Sequence, residues 1–275
     1  MSGMPTKYAI SGSPRSGSTW LHNALIHSGR FRGLPDEDTV HANTGLFVTD
    51  ENQYSHYALL CLSSETGQAS LAISRMMLAA LQNVLAARYG GTENFILNSP
   101  YYSFFIDTMF NNNFAHKFIY IRRQADHTAL SMIRHPFLSS QLGGAPDTFY
   151  SMIRKGKCLE NPHVPSEILA EFNQRYQYLT PYDRALFKYL CFASAFATLS
   201  KTIPPECSFV LDYGSFDSDR NHRDRCGDFL ELNGQQRDVV LSSFRKTQVS
   251  TATLPPHDPG FRQKILEAEA RLLEA

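Results

Sequence analysis

The residues with the plainest chemical use lie in one short run near the amino end, Gly12-Ser13-Pro14-Arg15-Ser16-Gly17-Ser18-Thr19. Gly12 and Gly17 let a backbone turn around an anion, Ser16, Ser18 and Thr19 bring hydroxyl donors, and Arg15 brings a fixed positive charge. That set suits a bound phosphate or sulfate. Two elements must position it. Tyr8, Ala9 and Ile10 form an apolar run that reads as a short buried strand, and Trp20, Leu21, Ala24 and Leu25 resume at helical spacing. A helix that starts after a tight loop offers backbone N–H groups without partners, at the positive end of its dipole, as a seat for an anion.

The spacing from Gly12 to Gly17 fits the Walker A form G-x-x-x-x-G-K-[ST], except that Ser18 stands where the lysine belongs. That lysine serves the β- and γ-phosphates of a nucleoside triphosphate alongside Mg²⁺. Its replacement points away from phosphoryl transfer and toward a less charged transferred group that needs amides and one cation but no metal. The run Pro14 to Leu21, PRSGSTWL, resembles the 5′-phosphosulfate loop of the sulfotransferases, which use 3′-phosphoadenosine 5′-phosphosulfate (PAPS) as donor. The resemblance implies that Arg15, Ser16, Gly17, Ser18, Thr19 and Trp20 bind the donor, with Arg15 at its 5′ end. It also implies a P-loop-like α/β fold: a mostly parallel central sheet between layers of helices.

Further along, Lys117 to Arg122, KFIYIR, reads as a strand from the middle of a parallel sheet, and it enters a helix from about Ala125 to Arg134. Strand–helix alternation of this kind predicts a doubly wound sheet with its ligand crevice beyond the carboxyl ends of the strands. Arg123 stands at such an end and Ser131 follows eight residues later. This resembles the second sulfotransferase fingerprint, a strand ending in Arg with a Ser eight residues on, both holding the 3′-phosphate. Gln124-Ala125 departs from the family's usual turn there. The eight-residue spacing selects Arg123 over its neighbour Arg122.

Two more stretches extend the resemblance. Cys207 to Asp212, CSFVLD, reads as a fourth strand; alone, Asp212 could be a Walker B carboxylate on Mg²⁺, whereas the family implies that Tyr213 lies beside the nucleotide. In SFRKT, Arg245 and Lys246 match a basic pair that closes over the 3′-phosphate, although Thr247 replaces the family's Gly. The implied chemistry is an in-line attack on sulfur by an acceptor hydroxyl or amine, with a general base to take its proton. The His and Lys that cytosolic members carry on an earlier strand are missing from LNSPYY, where Asn98 and Ser99 can orient the sulfate instead. Carbohydrate and tyrosyl members have a Glu some way beyond the loop, which makes Glu37 the first candidate base and His41 the second.

The rest of the chain bounds these readings. With 275 residues and 43% hydrophobic content it can bury one sizeable core, a single domain over residues 1–275. Its 26 basic and 26 acidic residues cancel, so charge gives no case for nucleic acid or an anionic membrane as partner. Five cysteines without C-x-x-C pairing read as buried thiols in a reducing compartment, and no signal peptide or membrane anchor is apparent; both favour the cytoplasm. Residues 28–57 and 138–165 read as loops or lids that wall a pocket for a small-molecule or glycan acceptor. A long helix is expected from about Thr66 to Tyr89, a core helix from Pro181 behind a Thr180/Asp183 capping box, and a tail helix from Phe261 to Ala275. The tail either caps the fold or packs on a partner, which leaves a homodimer open. Two other functions stay open: a metal-dependent nucleotide kinase or hydrolase, and a catalytically silent member that still binds PAPS or its product adenosine 3′,5′-bisphosphate.

Overall fold

The structure, a computed structural model, describes residues 6–33, 94–143, 163–244 and 253–274. Its centre is a parallel sheet of four strands, β1 (Lys7–Gly12), β2 (Phe95–Asn98), β3 (Lys117–Arg122) and β4 (Ser208–Asp212), in the order β2-β1-β3-β4. Their apolar runs are those of strands covered on both faces. Ile10 lies opposite Asn98 on one side and Ile119 on the other, and Arg122 lies opposite Asp212. This register brings all four carboxyl ends to one edge of the sheet.

The two-residue period of a strand sends alternate side chains to opposite faces. Ala9, Phe118 and Tyr120 join one core, whereas Tyr8, Ile10, Ile119 and Ile121 join the other. The second face is covered by α1 (Ser18–His27). The first is covered by α3 (Ala125–Ile133), which follows the short α2 (Ile106–Asn111), and by the long α6 (Pro181–Leu199). The layered α/β arrangement expected from the sequence is therefore present. Helix α6 starts on the expected Thr180/Asp183 capping box, and Tyr182 through Ala197 are all buried. Across from it, Phe172 of α5 (Ser166–Arg175) stacks on Phe187 with ring centroids 3.6 Å apart.

Some boundaries differ from the sequence reading. Leu138 opens no loop: it lies inside α4 (Pro136–Gly143), whose start is marked by a proline at the first helical position. Of the Gly143-Gly144 pair that suggested a loop, Gly143 is the last residue of this helix and Gly144 lies outside the described residues. Of residues 28–57, those up to Gly33 are described, and Arg32 already makes a parallel bridge to Phe95 at the sheet edge. The helix expected over Thr66 to Tyr89 lies outside the described residues. Of the cysteines, Cys191 and Cys226 are buried and Cys207 is half-buried, while Cys61 and Cys158 lie outside the described residues. Among the described residues no helix is long and apolar enough to cross a membrane.

Helices α7 (Arg220–Phe229) and α8 (Gly234–Ser243) complete the second face, and the tail helix α9 (Pro259–Glu274) packs along α6. The tail does cap the fold. It begins two residues before the expected Phe261, because Asp258 accepts the Phe261 N–H at 2.9 Å and Pro259 takes the first turn. Arg262 clasps Asp126 at the start of α3, and Glu269 accepts the Tyr189 hydroxyl and lies 3.6 Å from Arg122. Burial pushes the Glu269 carboxyl up, against the opposing pull of Tyr189 and Arg122.

Two outcomes follow from this packing. Phe172→Ala, which empties a fully buried stack, should cost about 3–5 kcal/mol in urea unfolding. For Glu269 the folded state prefers the neutral acid, so its contribution is fully present below the ordinary carboxylate range and is lost as pH rises through the elevated folded value. Glu269→Gln keeps an acceptor for Tyr189. The melting temperature of the native chain minus that of Glu269→Gln should fall as pH rises from about 4 to about 8; a flat difference would refute the assigned shift.

Candidate functional site

At the carboxyl end of β1 the chain turns through Gly12, Ser13, Pro14, Arg15 and Ser16, closed by a hydrogen bond from Ser16 N–H to the Ser13 carbonyl at 3.0 Å. Glycine is required at both ends. A side chain on Gly12 would put its Cβ 2.4 Å from Ser16 Oγ, and Gly17, at φ 110°, would meet the Tyr213 ring at 2.8 Å. Helix α1 then starts at Ser18 with no side chain capping its first turn. Ser13 Oγ and Ser16 Oγ are buried and have no hydrogen-bond partner among the described residues. A buried hydroxyl left so costs about 1–3 kcal/mol, which an anion enclosed by the loop would offset. The loop is thus a cradle whose free donors and positive dipole end both fit a phosphate or sulfate.

Three other stretches meet this loop. Arg123, just past β3 and 7% exposed, donates from Nη1 to the Arg15 carbonyl at 3.1 Å, and its guanidinium lies 5.3 Å from the Tyr213 ring centre. Arg15, at φ 71°, donates from Nε to Ser131 Oγ at 3.3 Å. Residues 131, 15, 123 and 213, remote in sequence, are therefore linked by successive contacts. Burial, and behind it the charge of Arg15, draws the Arg123 guanidinium below its usual value, with Tyr213 opposing. An anion held between two such cations relieves that repulsion. Arg122 points away, toward Asp212 at 4.0 Å and Glu269 at 3.6 Å, as the alternation of a strand requires.

Tyr213 and Trp20 belong to an aromatic group that the sequence reading only half identified. Trp20 lies 4.8 Å from Phe244, 5.3 Å from Phe216 and 6.0 Å from Tyr213, ring centre to ring centre, and its Nε1 donates to Ser243 Oγ at 3.2 Å. Phe216 and Phe244 were missed, although both directly flank features already singled out, the turn after Tyr213 and the basic pair. Ser18 is buried and Thr19 exposed at the start of α1. Arg245 and Lys246 lie outside the described residues, as do Glu37 and His41. A cavity of about 610 Å³ opens beside the group at the ends of β3 and β4, with Arg123 and Tyr213 in its wall.

Asp212 has other work than a metal ligand's. Its Oδ1 accepts the N–H groups of Gly214 at 2.8 Å and Ser215 at 3.1 Å, and its own N–H is accepted by His222 Nε2 at 2.9 Å. The carboxylate shapes the turn that aims Tyr213 at the loop. On the other side of β1, Asn98 ends β2 with its Oδ1 buried and unpartnered among the described residues, and the Ser99 N–H is given to the Ile10 carbonyl at 3.1 Å. The donor-side groups and Asn98 thus flank the loop from opposite sides.

Neither the family models nor the curated protein sequences match the chain. Solved structures do. A sulfotransferase from Alicyclobacillus acidocaldarius is similar over 99% of this chain and 94% of its own, at 15% identity and a TM-score of 0.52. A sulfotransferase from Mycobacterium avium is similar over 99% of this chain and 76% of its own, at 11% identity and a TM-score of 0.54. At such identities the likeness is one of architecture, and it agrees with the parallel four-stranded sheet and its flanking helices: the chain has the sulfotransferase fold.

Proposed function

We propose that the chain transfers a sulfuryl group from PAPS to a hydroxyl or amine of a small-molecule or glycan acceptor. The observation that carries this reading is the convergence of Arg123 and Ser131 on Arg15 of the anion loop. A donor with anions on both the 5′ and the 3′ oxygen of one ribose needs two adjoining seats, and a nucleoside triphosphate does not. The α1 amides and Ser16 receive the 5′ group, Arg123 and Ser131 the 3′-phosphate, and the half-buried Trp20 offers a ring on which a purine can stack.

Loop amides and Arg15 act most strongly where negative charge builds, on the phosphate oxygen released as the sulfur–oxygen bond breaks. The acceptor approaches in line from the far side of the sulfur. Its proton goes to a general base, for which Glu37 is the first candidate and His41 the second. In this reading Asn98, beside the loop on the β2 edge, accepts a hydrogen bond from the incoming nucleophile; its Oδ1, unpartnered among the described residues, supports that role.

Kinase chemistry on the same scaffold is disfavoured by Ser18 in the lysine position and by the engagement of Asp212 with Gly214 and Ser215. Thermal shift separates the two. Adenosine 3′,5′-bisphosphate should raise the melting temperature with or without Mg²⁺, and more than ADP does; a larger, Mg²⁺-dependent shift with ADP would overturn the reading. Gly17→Ala, strained in φ and driven against Tyr213, should weaken the bisphosphate at least tenfold, about 1.4 kcal/mol or more. Labelled PAPS offered to an acceptor panel then tests turnover. Glu37→Gln should abolish it while sparing bisphosphate binding, and loss with His41→Ala instead would move the base there. Binding without turnover on any acceptor would identify a silent member.

A further inference from the structure

Arg15 sits in the loop that the sulfotransferase reading assigns to the 5′ end of the donor, yet its side chain reaches the other seat. Its Nε donates to Ser131 Oγ at 3.3 Å, and its carbonyl accepts Arg123 Nη1 at 3.1 Å. Side chain and main chain of one residue are thereby tied to both groups assigned to the 3′-phosphate. The Nε bond to Ser131 leaves the Nη groups of the guanidinium fork to meet an anion beside that hydroxyl. The backbone at Arg15 is left-handed, φ 71°, a conformation that a side-chain-bearing residue keeps only when its surroundings fix it. The turn bond from Ser16 N–H to the Ser13 carbonyl and the bond from Arg123 both hold it, so what orders Arg123 bears on the loop as well.

Resting on the PAPS reading, we propose that Arg15 is a ligand shared by the two anion seats, its backbone forming the 5′ cradle and its guanidinium fork, held by Ser131, reaching from the 5′ group to the 3′-phosphate. Filling either seat immobilises Arg15 and so lowers the ordering cost of filling the other. Recognition of the 3′-phosphate is then built into the loop itself, and a nucleotide that lacks this group forfeits part of its grip at the 5′ end too.

Calorimetric titration of the full chain with adenosine, adenosine 3′-monophosphate, adenosine 5′-monophosphate and adenosine 3′,5′-bisphosphate tests this. Native chain, Arg15→Lys, Arg15→Ala and Ser131→Ala are compared, with melting temperatures as a check on folding; Arg15 is exposed, and its lysine variant keeps the charge but loses the fork. In the native chain the bisphosphate should bind at least about fivefold tighter than the two monophosphate gains over adenosine predict together. Arg15→Lys should weaken both monophosphates and abolish that excess, and Ser131→Ala should also abolish it while weakening chiefly the 3′-monophosphate. If Arg15→Lys weakens the 5′-monophosphate alone and leaves the 3′-monophosphate within about twofold, the shared role is wrong although the PAPS reading stands. If the native chain binds the bisphosphate no better than ADP, the PAPS reading fails and the shared role with it.

Discussion

A hydrogen bond from Arg123 Nη1 to the Arg15 carbonyl joins the loop after β1 to the tip of β3, and the arrangement of the site depends on it. The bond can form only because β1 and β3 are parallel neighbours in a register that sets Gly12 beside Ile121. Both strands then end at one height, and the first residue past β3 falls under the loop. Burying a guanidinium is costly, and a carbonyl acceptor together with the face of Tyr213 returns part of that cost. Under the proposed function an anion beside Arg123 would add to that return. The left-handed backbone at Arg15 adds local strain of the kind that ligand cradles commonly carry.

The sheet's two cores make such a contact stable. Ile119 and Ile121 anchor β3 in one core and Phe118 and Tyr120 in the other, all at 1% exposure or less, so the strand cannot slide without exposing both sets. A slip of one residue would also exchange Arg122 and Arg123, sending the wrong guanidinium to the loop. The hydrophobic pattern therefore fixes the chemistry as well as the fold.

Much of this was legible in the sequence where local rules are strong. The Gly12 to Gly17 loop announces itself because glycine, hydroxyl and arginine serve few other purposes between a buried strand and a helix. The capping box at Thr180 and Asp183 marked the start of α6 because its two hydrogen bonds are local. Phe216 and Phe244 were not legible: an aromatic side chain in a turn or at a helix end reads the same whether it faces a ligand or a core, and only tertiary contact with Trp20 distinguishes them. The α4 start was masked by weak apolar periodicity in PFLSSQLG. Contact between Arg15 and Ser131 joins residues 116 apart, beyond the reach of any pattern.

The doublet Arg122-Arg123 shows how the site keeps its charge. Asp126, Asp212 and Glu269 all line the cavity beside Arg123, and any of them could neutralise a nearby guanidinium. Each is engaged elsewhere. Asp126 is held by Arg262 and Tyr182; its carboxyl would be raised by burial, yet these partners bring it below the usual range. Asp212 is spent on the amides of Gly214 and Ser215, and Glu269 on Tyr189 and Arg122. Arg122 and Arg262 thus occupy the acidic groups on the far side of the strand tips. Nearer the loop, Arg15 reaches the Ser131 hydroxyl and Arg123 reaches the Arg15 carbonyl. The charge of Arg123, 7% exposed, is screened less than that of the exposed Arg15, and together they favour a ligand that carries its own negative charge to that point.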